Sequence, residues 1–289
     1  MSQPVWLEVA LNGPWGRGLQ PLAPVSVDAI VGEAVACVQA GAAIVHLHAY
    51  DAEGRQQVDC ADTYARIIEA IRERAGAIVY PTIASGDDRY AIIEQLAARG
   101  LLEWAVVDPG SVNIEPLHPG EAGLPSFTYV NTPANLERGF DLAARHGFHP
   151  AFACYEPGFV RAGAAYCRRQ PAVPRPVYRL MFSSTFSFGF PPGPQGLRAY
   201  KALLDEVAPG EPFMVSGLGV DVRPLARDAV ALGGHVRVGL EDAPLGSPHT
   251  NLELVEEMAG LIRDAGRQLA TADEVRRQLA ARLPREVVR

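Results

Sequence analysis

Eight short apolar runs alternate with longer helical patterns along this chain, and that alternation restricts the fold more than any other feature. The runs cover residues 6–11, 43–48, 77–83, 103–108, 151–155, 177–182, 213–218 and 235–240. Helical patterns fill 25–40, 60–75, 87–99, 133–146, 159–170, 195–208, 221–232 and 250–269, with Ser26 and Asn251 as N-cap candidates. Gly41, Gly76, Gly100 and Gly147 stand just past four of them, where a left-handed residue usually ends a helix. Apolar strands separated by helices imply a parallel sheet covered on both faces. Eight such units predict a single-domain (β/α)8 barrel (TIM barrel) over 1–271, with 272–289 as a helical extension packed on it. A doubly wound open sheet is the other architecture. It more often carries a dinucleotide loop after its first strand, and ALNGPWGRG has Pro14 and no GxGxxG spacing. Residues 117–133 read as a Pro/Gly-rich loop over the barrel mouth.

Composition excludes several function classes. A net charge of -7 argues against nucleic acid as the main partner. No apolar run reaches the roughly 18 residues that a membrane helix needs, and the N-terminus lacks a secretory pattern. Cys37, Cys60, Cys154 and Cys167 form no CxxC pair and read as reduced residues of a cytoplasmic protein. Lys201 is the one lysine, and its place in a helical pattern excludes a Schiff-base aldolase, which needs a lysine at a strand end.

A barrel of this kind holds its chemistry at the C-terminal ends of the strands. The second run ends His46-Leu47-His48, and period-two alternation turns both imidazoles the same way. The eighth ends Gly239-Leu240-Glu241-Asp242, one strand away across the closure. Two imidazoles and a carboxylate, with one position left open, form a common catalytic zinc shell, although other divalent first-row ions accept the same donors. Arg237 shares a side with Glu241 and needs an anionic partner if it points into the barrel. Asp242, beside a ligand, is a candidate general base whose pKa the metal and Arg237 would keep low. Ser85 and Gly86 precede a helix expected to start near Asp87, where backbone N–H groups could hold an anion. Asp108, Ser111, Asn113 and Glu156 are further polar groups at strand ends, read as substrate contacts. His118, His146, His149, His235 and His249 read as surface or capping residues.

These residues resemble the β-keto acid cleavage enzymes, the family of 3-keto-5-aminohexanoate cleavage enzyme. AGAAIVHLHAYD, GSVN (Gly110–Asn113) and GGHVRVGLEDAPLG carry the resemblance, which runs over nearly the whole chain. It implies a (β/α)8 barrel with zinc on His46, His48 and Glu241, the Asp242–Arg237 pair beside the metal, and a serine contact at Ser85. It also implies acetyl-CoA as co-substrate, a homotetramer, and conversion of a β-keto acid into acetoacetate and an acyl-CoA. Two positions depart from the family pattern: Tyr50 stands where the family often has arginine, and the segment Asn12–Trp15 has no acid to meet a substrate ammonium. A neutral or apolar substrate side chain is therefore expected, with Trp15 lining its pocket and Asn12 and Tyr50 as further substrate contacts. Two other readings remain, a metal-dependent hydrolase of the amidohydrolase type and a catalytically silent ligand-binding barrel. The first expects histidines where the fifth and sixth strands end, and Glu156 and Ser183 stand there.

Overall fold

The computed structural model describes residues 3–57, 59–118, 124 and 126–281. Its strands are β1 Leu7–Ala10, β2 Ile44–Leu47, β3 Ile78–Pro81, β4 Trp104–Val106, β5 Val112–Ile114, β6 Phe127–Tyr129, β7 His149–Cys154, β8 Val177–Phe182, β9 Phe213–Gly217 and β10 His235–Val238. The helices are α1 Gly16–Leu19, α2 Val27–Ala40, α3 Ala61–Arg74, α4 Ala91–Ala98, α5 Pro133–His146, α6 Pro157–Arg169, α7 Pro194–Val207, α8 Ala226–Ala231, α9 Asn251–Asp264 and α10 Ala272–Ala280.

Eight parallel strands run in the order β3-β2-β1-β10-β9-β8-β7-β4, so first and last barrel strands are neighbours. β3 and β4 stand side by side at the remaining seam, and helices follow the strands around the outside. This is the expected (β/α)8 barrel. Every expected barrel strand is present; most are trimmed at their ends, where terminal residues of the apolar run leave the ladder to enter a loop, whereas β7 starts two residues early and β8 matches the expected 177–182.

The differences lie in the connections. Residues 117–133 are not loop throughout: β6 pairs antiparallel with β5, opposing Asn113 to Thr128. The Phe-Thr-Tyr run of β6 has strand character, but it is only three residues long and sits among turn formers. α4 begins at Ala91 with Tyr90 at its cap, well after Asp87, because a turn intervenes. α9 is capped by Thr250, whose hydroxyl accepts from Glu253 N. Asn251 instead turns inward: it accepts from Leu240 N at 2.8 Å and donates to Leu11 O at 2.8 Å. That clamp joins the segments leaving β1 and β10. α3 ends in extended backbone at Ala75, whereas α5 ends at Gly147 with the expected left-handed φ of 77°.

α10 crosses the N-terminal end of the barrel, where Trp6 Nε1 donates to Gln278 at 2.7 Å and Arg276 pairs with Glu103 at 2.6 Å. The expected helix beyond residue 281 lies outside the described residues. His235 is a correction. It is buried in the barrel floor, stacked on Trp6 at 3.9 Å, and burial pushes its pKa down to about 3. Among the described residues no helix is long and apolar enough to cross a membrane.

The strand register puts charge inside the barrel. Glu8 lies level with Arg237, and Ala10 with His46. Glu8, Arg179 and Arg237 are all buried in the interior. Buried charges of this kind persist only when paired, and the pairs lead upward to the mouth.

Candidate functional site

His46 lies within β2 and His48 one residue past its end, so alternation turns both rings to the mouth. Glu241 arrives from a turn after β10, not from the strand itself. Gly239 opens that turn with a φ of 134°, and a Cβ there would sit 2.1 Å from Ala10 O. Asp242 N and Ala243 N both donate back to Gly239 O. Gly13, at φ 59°, lets the β1–α1 loop lie against Glu241, since a Cβ would come within 2.7 Å of its Cγ.

The result is a trio: Glu241 Oε2 stands 3.4 Å from His46 Nε2 and 3.5 Å from His48 Nε2. A tetrahedral ion with bonds of about 2.0–2.1 Å separates its ligands by roughly 3.3–3.4 Å, so the spacing suits zinc. His48 Nε2 and Glu241 Oε2 are buried and make no hydrogen bond. Gln56 Nε2 lies 2.6 Å from His48 Nδ1; turning that amide over would set its oxygen against the ring, so that Nδ1 carries the proton and Nε2 keeps its lone pair for a cation. Burial keeps His46 neutral, its pKa pushed down to about 3. Burial alone would raise the Glu241 carboxyl, but the His46 ring and the Arg237 guanidinium hold it well below the ordinary value.

Arg237 is the hub beneath the trio. Its Nη2 contacts Asp242 at 2.7 Å and Glu241 at 2.9 Å, and its Nε donates to both Asp242 oxygens. Gly217 N adds a bond to Asp242 at 3.2 Å. Burial pushes the Asp242 carboxyl up and Arg237 pulls it back. The net direction is upward, against the low value expected from the sequence; of the two charges expected to lower it, the arginine alone belongs to the chain. Glu8, Asp108 and Asp242 are buried together with the guanidiniums of Arg89, Arg179 and Arg237, and Glu241 joins them above through Arg237.

Residues 4–280 match the beta-keto acid cleavage enzyme family. The chain belongs to that family. It is 28% identical over 268 residues to the 3-keto-5-aminohexanoate cleavage enzyme of Fusobacterium nucleatum, covering 90% of this chain and 91% of the relative. It is 27% identical over 282 residues to the 3-oxoadipate:acetyl-CoA acetyltransferase of Cupriavidus necator, covering 96% and 94%. Among solved structures, a binary complex of ObcA with oxaloacetate superposes with a TM-score of 0.73 at 20% identity, over 90% of this chain and 67% of the other. That likeness concerns the fold.

In this β-keto acid cleavage enzyme Asn12, Trp15 and Tyr50 gather around the trio, and most of the other expected site residues bond to neighbouring loops and strands. Asn12 is fully buried; both its N–H groups are spent on Pro24 O and His48 O, and its oxygen accepts from His48 N. It braces the His48 backbone. Trp15 donates from Nε1 to Glu241 O at 2.7 Å and stacks on Phe186. Asp108 is buried, accepting from Ala153 N and Tyr129 Oη. Ser111 ties to the Asn131 backbone, and Asn113 is exposed on β5. Glu156 precedes α6 and accepts from Gly189 N. Ser85 and Gly86 are exposed, and the late start of α4 removes the helix N-terminus expected beside them.

Tyr50 has a structural task. Its hydroxyl donates to Gly13 O at 2.5 Å and accepts from Gly16 N at 3.1 Å, pinning the loop that lies against Glu241. Tyr50→Phe leaves both backbone groups without that partner and is expected to cost about 1–3 kcal/mol. Urea denaturation measures this.

Sequence reading missed Glu8, Tyr80, Arg179 and Gln56. The signal for Glu8 and Arg179 was a lone charge inside an apolar strand run. Gln56 carried none, since a loop glutamine has no pattern to betray it.

Proposed function

We propose that the chain uses zinc held by His46, His48 and Glu241 to exchange acyl groups between a β-keto acid with a neutral or apolar side chain and acetyl-CoA. The carrying observation is the buried trio with its unpartnered donor atoms, seated on the Arg237–Asp242 pair. The names of the relatives, which include an acetyl-CoA acetyltransferase, support the same chemistry. Bound zinc would supply Lewis acidity that stabilises an enolate.

The chain's own residues perform the proton work. Asp242, oriented by Arg237 and Gly217 N, takes the proton from the carbon between the two carbonyls. The resulting carbanion attacks the thioester carbonyl of acetyl-CoA, and the CoA thiolate leaves. That thiolate attacks the original ketone, the carbon–carbon bond breaks, and the acyl-CoA departs. Asp242 returns the proton to the carbanion, giving acetoacetate.

The side-chain preference rests on the β1–α1 loop. Residues 11–20 contain no acid that could serve an ammonium as counter-ion, and Trp15, stacked on Phe186, gives that loop an apolar face. A missing charged hydrogen bond costs about 1.5–3 kcal/mol, roughly 10- to 150-fold in affinity. A panel of 3-keto acids with acetyl-CoA tests this by acetoacetate formation. Neutral side chains are expected to exceed the 5-aminated acid at least about 10-fold in kcat/KM. Preference for the aminated acid, or hydrolysis independent of a CoA ester, would overturn the reading.

A further inference from the structure

Within the barrel the Arg237 guanidinium has a third partner. Nε and Nη2 face Asp242 and Glu241, while Nη1 reaches Glu8 Oε1 at 3.2 Å. Glu8 sits in the middle of β1, fully buried, where an apolar residue would satisfy the strand. The same Oε1 accepts from Tyr80 Oη at 2.5 Å, and Tyr80 Oη accepts from Arg179 Nη1 at 3.1 Å. The four side chains come from β1, β3, β8 and β10, so the chain of contacts spans the barrel beneath the metal trio. Tyr80 also packs its ring 4.6 Å from His46.

We propose that Glu8, held by Tyr80 and Arg179, is a positioning residue that fixes Arg237 between the metal ligand Glu241 and the base Asp242. The physical reason is a division of charge. With the Glu8 carboxyl on Nη1, part of the guanidinium's charge is met from below. Without it, the whole charge bears on the two upper carboxylates, and Glu241 becomes a poorer donor to a cation. The guanidinium also loses one of the three directions that fix its plane, and with it the orientation of Asp242. Groups that hold metal ligands in this way typically change metal affinity or activity 10- to 100-fold when altered.

The inference rests on reading His46, His48 and Glu241 as the metal site, and its test is readable without turnover. The full chain is compared with Glu8→Gln, which removes the charge at constant shape, and Tyr80→Phe, which removes the linking hydroxyl and no charge. Zinc affinity is measured by competition with a chromophoric chelator. Kinetics follow at saturating zinc. Glu8→Gln is expected to weaken zinc binding about 10- to 100-fold and to lower kcat by about 10-fold, leaving KM for acetyl-CoA within about twofold. Tyr80→Phe is expected to move both quantities in the same direction by at least about threefold. If Glu8→Gln does not fold, Tyr80→Phe decides. Zinc affinity and kcat within about twofold of the parent in every folded variant would overturn the proposal even if thermal stability falls, and so would a parent that binds no zinc. A parent that binds zinc but forms no acetoacetate overturns the proposed reaction alone, and the affinity comparison still stands.

Discussion

His46→Ala is expected to strip the protein of zinc and to abolish acetoacetate formation, with a loss of at least about 1000-fold, equivalent to roughly 4 kcal/mol of transition-state stabilisation. Three chain donors converge in the trio, and alanine leaves two. His48 and Glu241 alone cannot replace the third, because a catalytic zinc site ordinarily takes three protein ligands and keeps one position open. His46 is the informative choice among the three. Its ring is buried and neutral, so removing it deletes a ligand without deleting a formal charge. Glu241→Ala would instead remove a ligand and leave Arg237 short of a partner, mixing two effects. Elemental analysis of the dialysed variant gives the metal count, and unfolding curves of metal-free parent and variant separate ligand loss from misfolding. A folded variant that keeps stoichiometric zinc at unchanged affinity would exclude His46 as a ligand. Chelation of the parent is expected to reproduce the loss, and added zinc to restore only the parent.

The barrel was legible because its signal is repeated. Each strand is a short continuous apolar run, each is followed by a helix, and eight repetitions leave little freedom in topology. The trio was legible for a related reason: HxH on a strand has one geometry, and closure brings strands eight and two within one strand of each other. The hairpin of β5 and β6 was not legible, since three-residue strands lack the length for a pattern to emerge. Nor was the use made of polar residues at the mouth. Asn12, Ser111 and Asp108 could serve a substrate or the backbone equally well by composition. In the fold each meets a backbone N–H, of His48 and Asn131 past strand ends and of Ala153 within β7. Asn251 shows the same ambiguity one residue from its expected role: Thr250 took the cap, which freed the asparagine to clamp two strand ends.

The buried charges follow a rule that sequence shows only in outline. A glutamate or arginine inside an apolar strand announces that it must be paired, but its partner lies far along the chain. Glu8 and Arg237 meet across 229 positions, and Tyr80 and Arg179 across 99. Pairing of that range becomes readable only when the register of neighbouring strands is known.

Asp242→Asn is expected to separate proton transfer from metal binding. Asparagine keeps the shape of the side chain but cannot carry the proton, so kcat is expected to fall by about 100- to 10,000-fold, the usual contribution of general acid–base catalysis. At saturating zinc the content is expected to stay at the parent's level, because His46, His48 and Glu241 remain, while affinity falls as in Glu8→Gln because Arg237 then bears more fully on Glu241. A direct readout needs no acetyl-CoA. In deuterium oxide, the parent is expected to accelerate exchange of the hydrogens between the keto and carboxylate groups, and the variant to leave exchange at the rate without protein. Some stability is lost as well, since Arg237 keeps Glu8 and Glu241 but trades its paired carboxylate for an amide. Breaking one partner of a buried pair costs about 3–5 kcal/mol, and the two remaining acids reduce that figure here. The exchange measurement decides between two roles that a fall in kcat alone leaves joined. Lost exchange with zinc retained makes Asp242 the base. Undiminished exchange makes Asp242 an anchor for Arg237, and another group then moves the proton.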